Sequence, residues 1–119
     1  VVALAGPSDL NTLSATSRQG AGLAVAQMLG SRRGGASNLG RLASPITYVS
    51  ATSAPMLLIH GQSDLLVPPD QSITMALALQ RVGVRSQVVM VNAGHVLDFK
   101  VGGRDLVPVV TDFLARSWK

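Results

Sequence analysis

Three side chains able to do acid–base chemistry stand just beyond short apolar runs: His60, Asp64 and His95. His60-Gly61-Gln62-Ser63-Asp64-Leu65-Leu66-Val67-Pro68 follows one run, and Asn92-Ala93-Gly94-His95 follows the next, with His95 thirty-one residues beyond Asp64. An imidazole titrates near neutral pH and makes a good general base. It works only when its tautomer and orientation are set by a partner on the other ring nitrogen, and a carboxylate is the usual partner. Asp64 and His95 are the candidate pair, provided the fold brings their loops together. The chain has no Cys, which removes disulfides, thiolate metal sites and cysteine nucleophiles at once.

The elements that must position these groups are legible in the apolar pattern. Pro55-Met-Leu-Leu-Ile-His60 is apolar nearly throughout rather than alternating, which predicts a strand covered on both faces in a parallel sheet. Ser86-Gln-Val-Val-Met-Val91 reads as a second buried strand. Val1-Val-Ala-Leu-Ala5 reads as a short one, ended by the turn chemistry of Gly6-Pro7-Ser8-Asp9. A small helix is expected over Ala21 to Leu29, a loop over Gly30 to Gly40, and a short helix opened by Ser44 as cap and Pro45 in its first turn. Asp70 is placed to cap a helix running to about Val82, with Gly83 stopping it. Leu106, Val109, Val110, Phe113 and Leu114 fall at i, i+3, i+4, i+7 and i+8, one apolar face of a last helix that tolerates Pro108 in its first turn.

Strands separated by helix-length crossovers require a parallel sheet with helices on its faces, so the fold class is α/β. In such sheets the working residues sit in loops beyond the carboxyl ends of the strands. Neighbouring strands would bring the Asp64 and His95 loops out at one edge.

Composition narrows the field. At 119 residues the chain supports one core, and 47% apolar against 13% charged residues excludes a disordered or acidic tail. No apolar run approaches the ~18 residues of a membrane span. The formal charge is +4, yet Arg32-Arg33 is the only adjacent basic pair and four aromatics are too few to stack bases, so nucleic acid is not the expected partner. All six acids are Asp and eight of the ten bases are Arg, a bias with no functional account. No repeat is visible. With no start Met and no targeting segment ahead of the first strand, residues 1–119 read as a single partial domain of something longer.

The stretch from Ser44 to His95 resembles the C-terminal part of an α/β-hydrolase, of the esterase/lipase and prolyl-oligopeptidase-like branch. The matching features are Ser44-Pro45 ahead of the strand, Leu58-Ile59-His60-Gly61-x-x-Asp64 with Val67-Pro68 after it, and Gly94-His95 after the next strand. Gly6-Pro7-x-Asp9 extends the similarity over nearly the whole chain. The resemblance implies the C-terminal half of that fold, with Asp64 as acid and His95 as base of a Ser-Asp-His triad in the chain order nucleophile, acid, base. It further implies a carboxylesterase-like serine hydrolase of small-molecule esters, with no cofactor. The G-x-S-x-G nucleophile elbow of that family is missing. The nearest stretch, Gly35-Ala36-Ser37-Asn38-Leu39, has the wrong fifth residue and no strand ahead of it. The elbow and the oxyanion loop are therefore expected upstream of Val1. The isolated chain is expected to turn over no ester, and to be poorly soluble or loosely folded because three strands leave apolar edges and an uncovered face on Val1 to Ala5.

Other readings stand beside this one. The same C-terminal motifs occur in prolyl-oligopeptidase-like peptidases, and a catalytically dead member or a small stand-alone module would bind a partner or ligand without chemistry. Asp64 is also a good turn former, His95 an ordinary loop histidine, and His60, at a strand end, a structural residue rather than a base. His60, Asp64 and His95 form a known type of metal-ligand set but lack the tight spacing of helix-borne sites, so no metal is expected. Gly20-Ala-Gly22 lacks the strand and third Gly of a dinucleotide loop. Arg32 and Arg33 are expected to face water, Met75 and Met90 to lie in the core, and Asp98 has no assigned role.

Overall fold

The computed structural model describes residues 1–17, 20–30, 36–95 and 98–118. Three strands form one sheet in chain order: β1 (Val2–Leu4), β2 (Met56–Gly61) and β3 (Ser86–Val91). Both pairings are parallel, with Leu58 opposite Ala3 on one side and Val88 on the other. Between β1 and β2 lie α1 (Leu10–Thr16), α2 (Ala21–Met28), α3 (Asn38–Ala43) and a 3-10 turn (Pro45–Tyr48). Helix α4 (Asp70–Arg81) crosses from β2 to β3. A small antiparallel hairpin, β4 (Lys100–Val101) with β5 (Arg104–Asp105), precedes α5 (Val107–Ser117).

The unbroken apolar run of β2 is explained by its central place. Successive side chains of a strand point to opposite faces. Leu57 and Ile59 pack with Val89, Val91, Leu106 and Phe113 under α5, while Leu58 packs with Met75, Ala76, Leu79 and Val84 under α4. The same alternation turns His60 toward α4. A smaller cluster of Leu10, Leu13, Leu29 and Val67 ties α1 and the end of α2 to the loop after β2.

Several expected elements differ in detail. Helix α1 lacks the long apolar stripe that would announce it; it begins because the Asp9 carboxylate accepts the N–H groups of Asn11 and Thr12. The segment expected as a loop through Gly40 turns helical at Asn38, where Ser37 Oγ accepts the Gly40 N–H as a cap. Arg32 and Arg33 lie outside the described residues. Ser44 occupies the cap position of the 3-10 turn without capping it, because its Oγ instead accepts from Leu10 N and donates to Gly40 O. Pro69, not Asp70, is the capping residue of α4, and Asp70 contributes its charge within the first turn. Met75 is buried as expected, whereas Met90 is half-buried and Leu114, at the edge of its stripe, is 40% exposed. Gly22, weighed above as part of a nucleotide loop, has a packing reason: a Cβ there would lie 2.7 Å from the Ser14 carbonyl oxygen.

The loop after β1 is fastened to α4 by one side chain. Buried Gln71 accepts through Oε1 from the N–H groups of Ser8 and Asp9 at 2.9 and 2.8 Å, while its own carbonyl accepts from Ser8 Oγ at 2.6 Å. Replacing Gln71 by Leu leaves two backbone donors without their acceptor, each costing roughly 1–3 kcal/mol when buried. The expected destabilisation is about 2–4 kcal/mol in chemical denaturation. A change within about 0.5 kcal/mol would show that these donors are satisfied in another way.

Candidate active site

The pairing of β2 with β3 brings the two loops marked by the sequence to the same edge of the sheet. Gln62 N donates to Val91 O at 2.9 Å and Ser63 N to Ala93 O at 3.0 Å, which extends the ladder past the strand ends. This approach needs a residue without a side chain at position 61. A Cβ on Gly61 would stand 2.1 Å from Gly94 O and 2.5 Å from Ala93 O.

At this junction Asp64 and His95 meet. His95 Nδ1 lies 2.9 Å from Asp64 Oδ2. The Asp64 side chain is fully buried, while that of His95 is 37% exposed, so the carboxylate stands behind the ring and the ring faces outward. A carboxylate only accepts; Nδ1 therefore carries the hydrogen and Nε2 is left as the basic nitrogen of the neutral ring. Nε2 makes none of the hydrogen bonds found between described residues.

The other carboxylate oxygen is held by the backbone. Asp64 Oδ1 accepts from Leu66 N at 3.0 Å and Val67 N at 2.9 Å, the local turn that Asp residues commonly make. Asp64 thus makes the local turn through one oxygen and meets His95 through the other. Burial pushes the Asp64 carboxyl up. The hydrogen bond from His95, the Val67 N–H, attraction to the His95 ring and the Leu66 N–H outweigh that and hold it below its ordinary value of 3.8.

His60 is fully buried behind this pair. Its Nε2 is 2.8 Å from Val67 O and 3.2 Å from Asp64 Oδ2, and its Nδ1 is 2.6 Å from Ser72 Oγ on α4. With both nitrogens engaged inside the fold, His60 does not join Asp64 and His95 in a metal-ligand set, and no group of three or more such ligands occurs among the described residues. Ser72 and the Leu66 and Val67 amides were not singled out in the sequence. Backbone donors carry no residue signature, and Ser72 is reached only through the alternation of β2. Ser37, at the nearest approach to an elbow, serves as the α3 cap, and exposed Asp98 accepts from its neighbour Phe99 N. An open cleft of about 600 Å³ adjoins Asp64, lined by Thr16 and Ser17 at the end of α1 and by Gln62, Leu65, Pro68 and Asp70 after β2.

Two consequences can be measured. Gly61→Ala is expected to push the Ala93–Gly94 carbonyls off the strand end and break the His95–Asp64 hydrogen bond; the downfield imidazole N–H signal of His95 in proton NMR should vanish while the fold persists. Because the folded-state Asp64 is the stronger acid, its stabilisation is fully present above its ordinary value and is lost as pH falls through the depressed one. The stability gap between wild type and Asp64→Asn is therefore expected to hold steady above about pH 5 and to shrink on further acidification. Denaturation curves across that range would show otherwise if the gap were flat.

Comparison with known proteins shows the family of the chain. The BD-FAE family profile matches residues 1–79. Esterase LipQ of Mycobacterium tuberculosis is 36% identical over 78 residues, which cover 62% of this chain and 18% of that protein, so the chain spans under a fifth of its curated relative. Among solved structures, a thermophilic esterase of Thermogutta terrifontis superposes with a TM-score of 0.55 at 25% identity, covering 83% of this chain and 35% of its own. An acylaminoacyl peptidase of Pyrococcus horikoshii superposes with a TM-score of 0.79 over 98% of this chain and 19% of its own; at 22% identity that likeness concerns the fold. No helix among the described residues is long and apolar enough to cross a membrane. A parallel sheet flanked by helices, a profile match over two thirds of the residues and esterase relatives converge: the chain belongs to the BD-FAE family and has the α/β-hydrolase fold.

Proposed function

We propose that this chain supplies the acid and base of a Ser-Asp-His triad in a carboxylesterase-like hydrolase of small-molecule esters. The observation that carries the reading is the 2.9 Å contact between a fully buried, backbone-held carboxylate and the Nδ1 of a partly exposed imidazole. Membership of a family whose relatives include an esterase supports it. In this reading residues 1–119 are the C-terminal part of the catalytic domain, and the nucleophilic Ser and the oxyanion donors come from residues outside this sequence.

The chemistry follows from the two nitrogens of one ring. A serine hydroxyl approaching the outward face of His95 loses its proton to Nε2 as its oxygen attacks the acyl carbonyl. The imidazolium so formed is stabilised by Asp64 at Nδ1. It then hands the proton to the departing alcohol, leaving an acyl-enzyme, and a second round with water as nucleophile releases the acid. Asp64 is suited to this because its oxygens are already saturated with donors and need not reorganise as charge develops on the ring. The cleft beside Asp64 falls within the size range of small-molecule sites, and in this reading it receives part of the substrate.

In the whole protein carrying this chain, Asp64→Asn is expected to lower kcat on a p-nitrophenyl ester by roughly 10⁴-fold, since an amide at this position favours the wrong His95 tautomer. A loss below about tenfold would put the acid elsewhere and end the triad reading.

A further inference from the structure

The buried histidine behind the pair, His60, is not used by that mechanism, and its surroundings leave it one arrangement. Val67 O is only an acceptor, so the nitrogen 2.8 Å from it, Nε2, carries a hydrogen whatever the charge of the ring. Nε2 is also 3.2 Å from Asp64 Oδ2, a close approach beside its hydrogen bond to Val67 O. In the neutral ring Nδ1 then accepts from the Ser72 hydroxyl at 2.6 Å. The Val67 carbonyl thus sets the tautomer of His60, the Ser72 hydroxyl on α4 satisfies the remaining nitrogen, and the Nε2–H stands close to the oxygen that holds His95.

We infer that His60, held between Val67 O and Ser72 Oγ, is a positioning residue for Asp64, reaching the carboxylate through both of its oxygens. On the Oδ2 side its N–H stands 3.2 Å from the oxygen that accepts from His95, so its partial positive charge favours the carboxylate in the orientation that meets His95. On the Oδ1 side the route is indirect: the Val67 amide donates to Oδ1 while the Val67 carbonyl is held by His60, so residue 67 is tied at both ends. Burial makes the restraint strict, since His60, Asp64 and Ser72 are each at most 2% exposed and water has little access to replace a lost partner. Any buried histidine needs partners for its ring nitrogens, which Val67 O and Ser72 Oγ supply; the approach of Nε2 to Asp64 goes beyond that need.

This inference rests on the triad reading, and its test separates the two. In the whole protein, His60→Leu keeps the bulk and removes both nitrogens. It is expected to lower kcat roughly 10- to 100-fold, the scale on which groups that orient a functional side chain usually act. KM should stay within about threefold, because no substrate contact is removed. His60→Gln, whose amide N–H can stand where Nε2–H stands, is expected to recover most of that loss. In an Asp64→Asn background His60→Leu should cost no further turnover, since there is no carboxylate left to position. If His60→Leu does not fold, Ser72→Ala carries the test, with a several-fold fall in kcat at unchanged KM expected. Turnover near wild type in His60→Leu or Ser72→Ala, equal losses in the Leu and Gln variants, or losses additive with Asp64→Asn would overturn the inference and leave the triad standing. An active Asp64→Asn enzyme would bring down the triad, and this inference with it.

Discussion

One buried carboxylate organises this end of the molecule. Removing an aspartate from water is costly unless donors replace the water it loses, and Asp64 is fully enclosed. Two backbone amides take one oxygen; two imidazole nitrogens approach the other. The local loop and the β3 loop supply the donors of that shell, and helix α4 backs it through the contact of Ser72 with His60. Their relative placement therefore has little freedom: displacing either loop strips a donor from a charge that has nowhere else to turn. The net result, a carboxyl held below its ordinary value despite burial, shows that the donors more than offset the desolvation.

The sheet makes this possible through its period of two. On β2, odd positions build the core under α5 and even positions face α4, so His60 points at Ser72 for the same reason that Leu58 points at Met75 and Leu79. The strand needs no special bend to aim a polar residue into that layer. Gln71, one residue before Ser72, uses the same turn of α4 to hold the Ser8–Asp9 backbone. Two adjacent polar residues at the start of one helix thus serve different loops, and α4 acts as the common mount for the segments after β1 and β2.

What could be read from the sequence followed from strong local patterns. The unbroken apolar runs at Met56–Ile59 and Val88–Val91 have few outcomes other than strands covered on both sides. Once those strands are neighbours, Asp64 and His95 share an edge. Helix α5 was visible in its stripe, although Leu114 lies too far round the helix to be covered. Helix α1 leaves little trace in the sequence, because a seven-residue helix has hardly two turns in which to show a period and its start depends on Asp9, which reads equally well as a turn residue. The β4–β5 hairpin is not legible in the sequence, because two-residue strands show no alternation at all. Of the site, the acid–imidazole pair was legible and its support was not: Val67 and Leu66 act through backbone amides, and Ser72 is twelve residues from its partner on a different element.

The contact between Gly61 and the Ala93–Gly94 backbone has a bearing on how this region can be redesigned or exchanged between relatives. A loop carrying the imidazole cannot be transplanted by itself. It fits only a strand whose last residue lacks a Cβ, and a recipient with any other residue there would seat it about a side chain's width too far from the carboxylate. Positions 61, 93 and 94 therefore travel as one module, and a chimera that divides them inherits both residues of the pair without their contact.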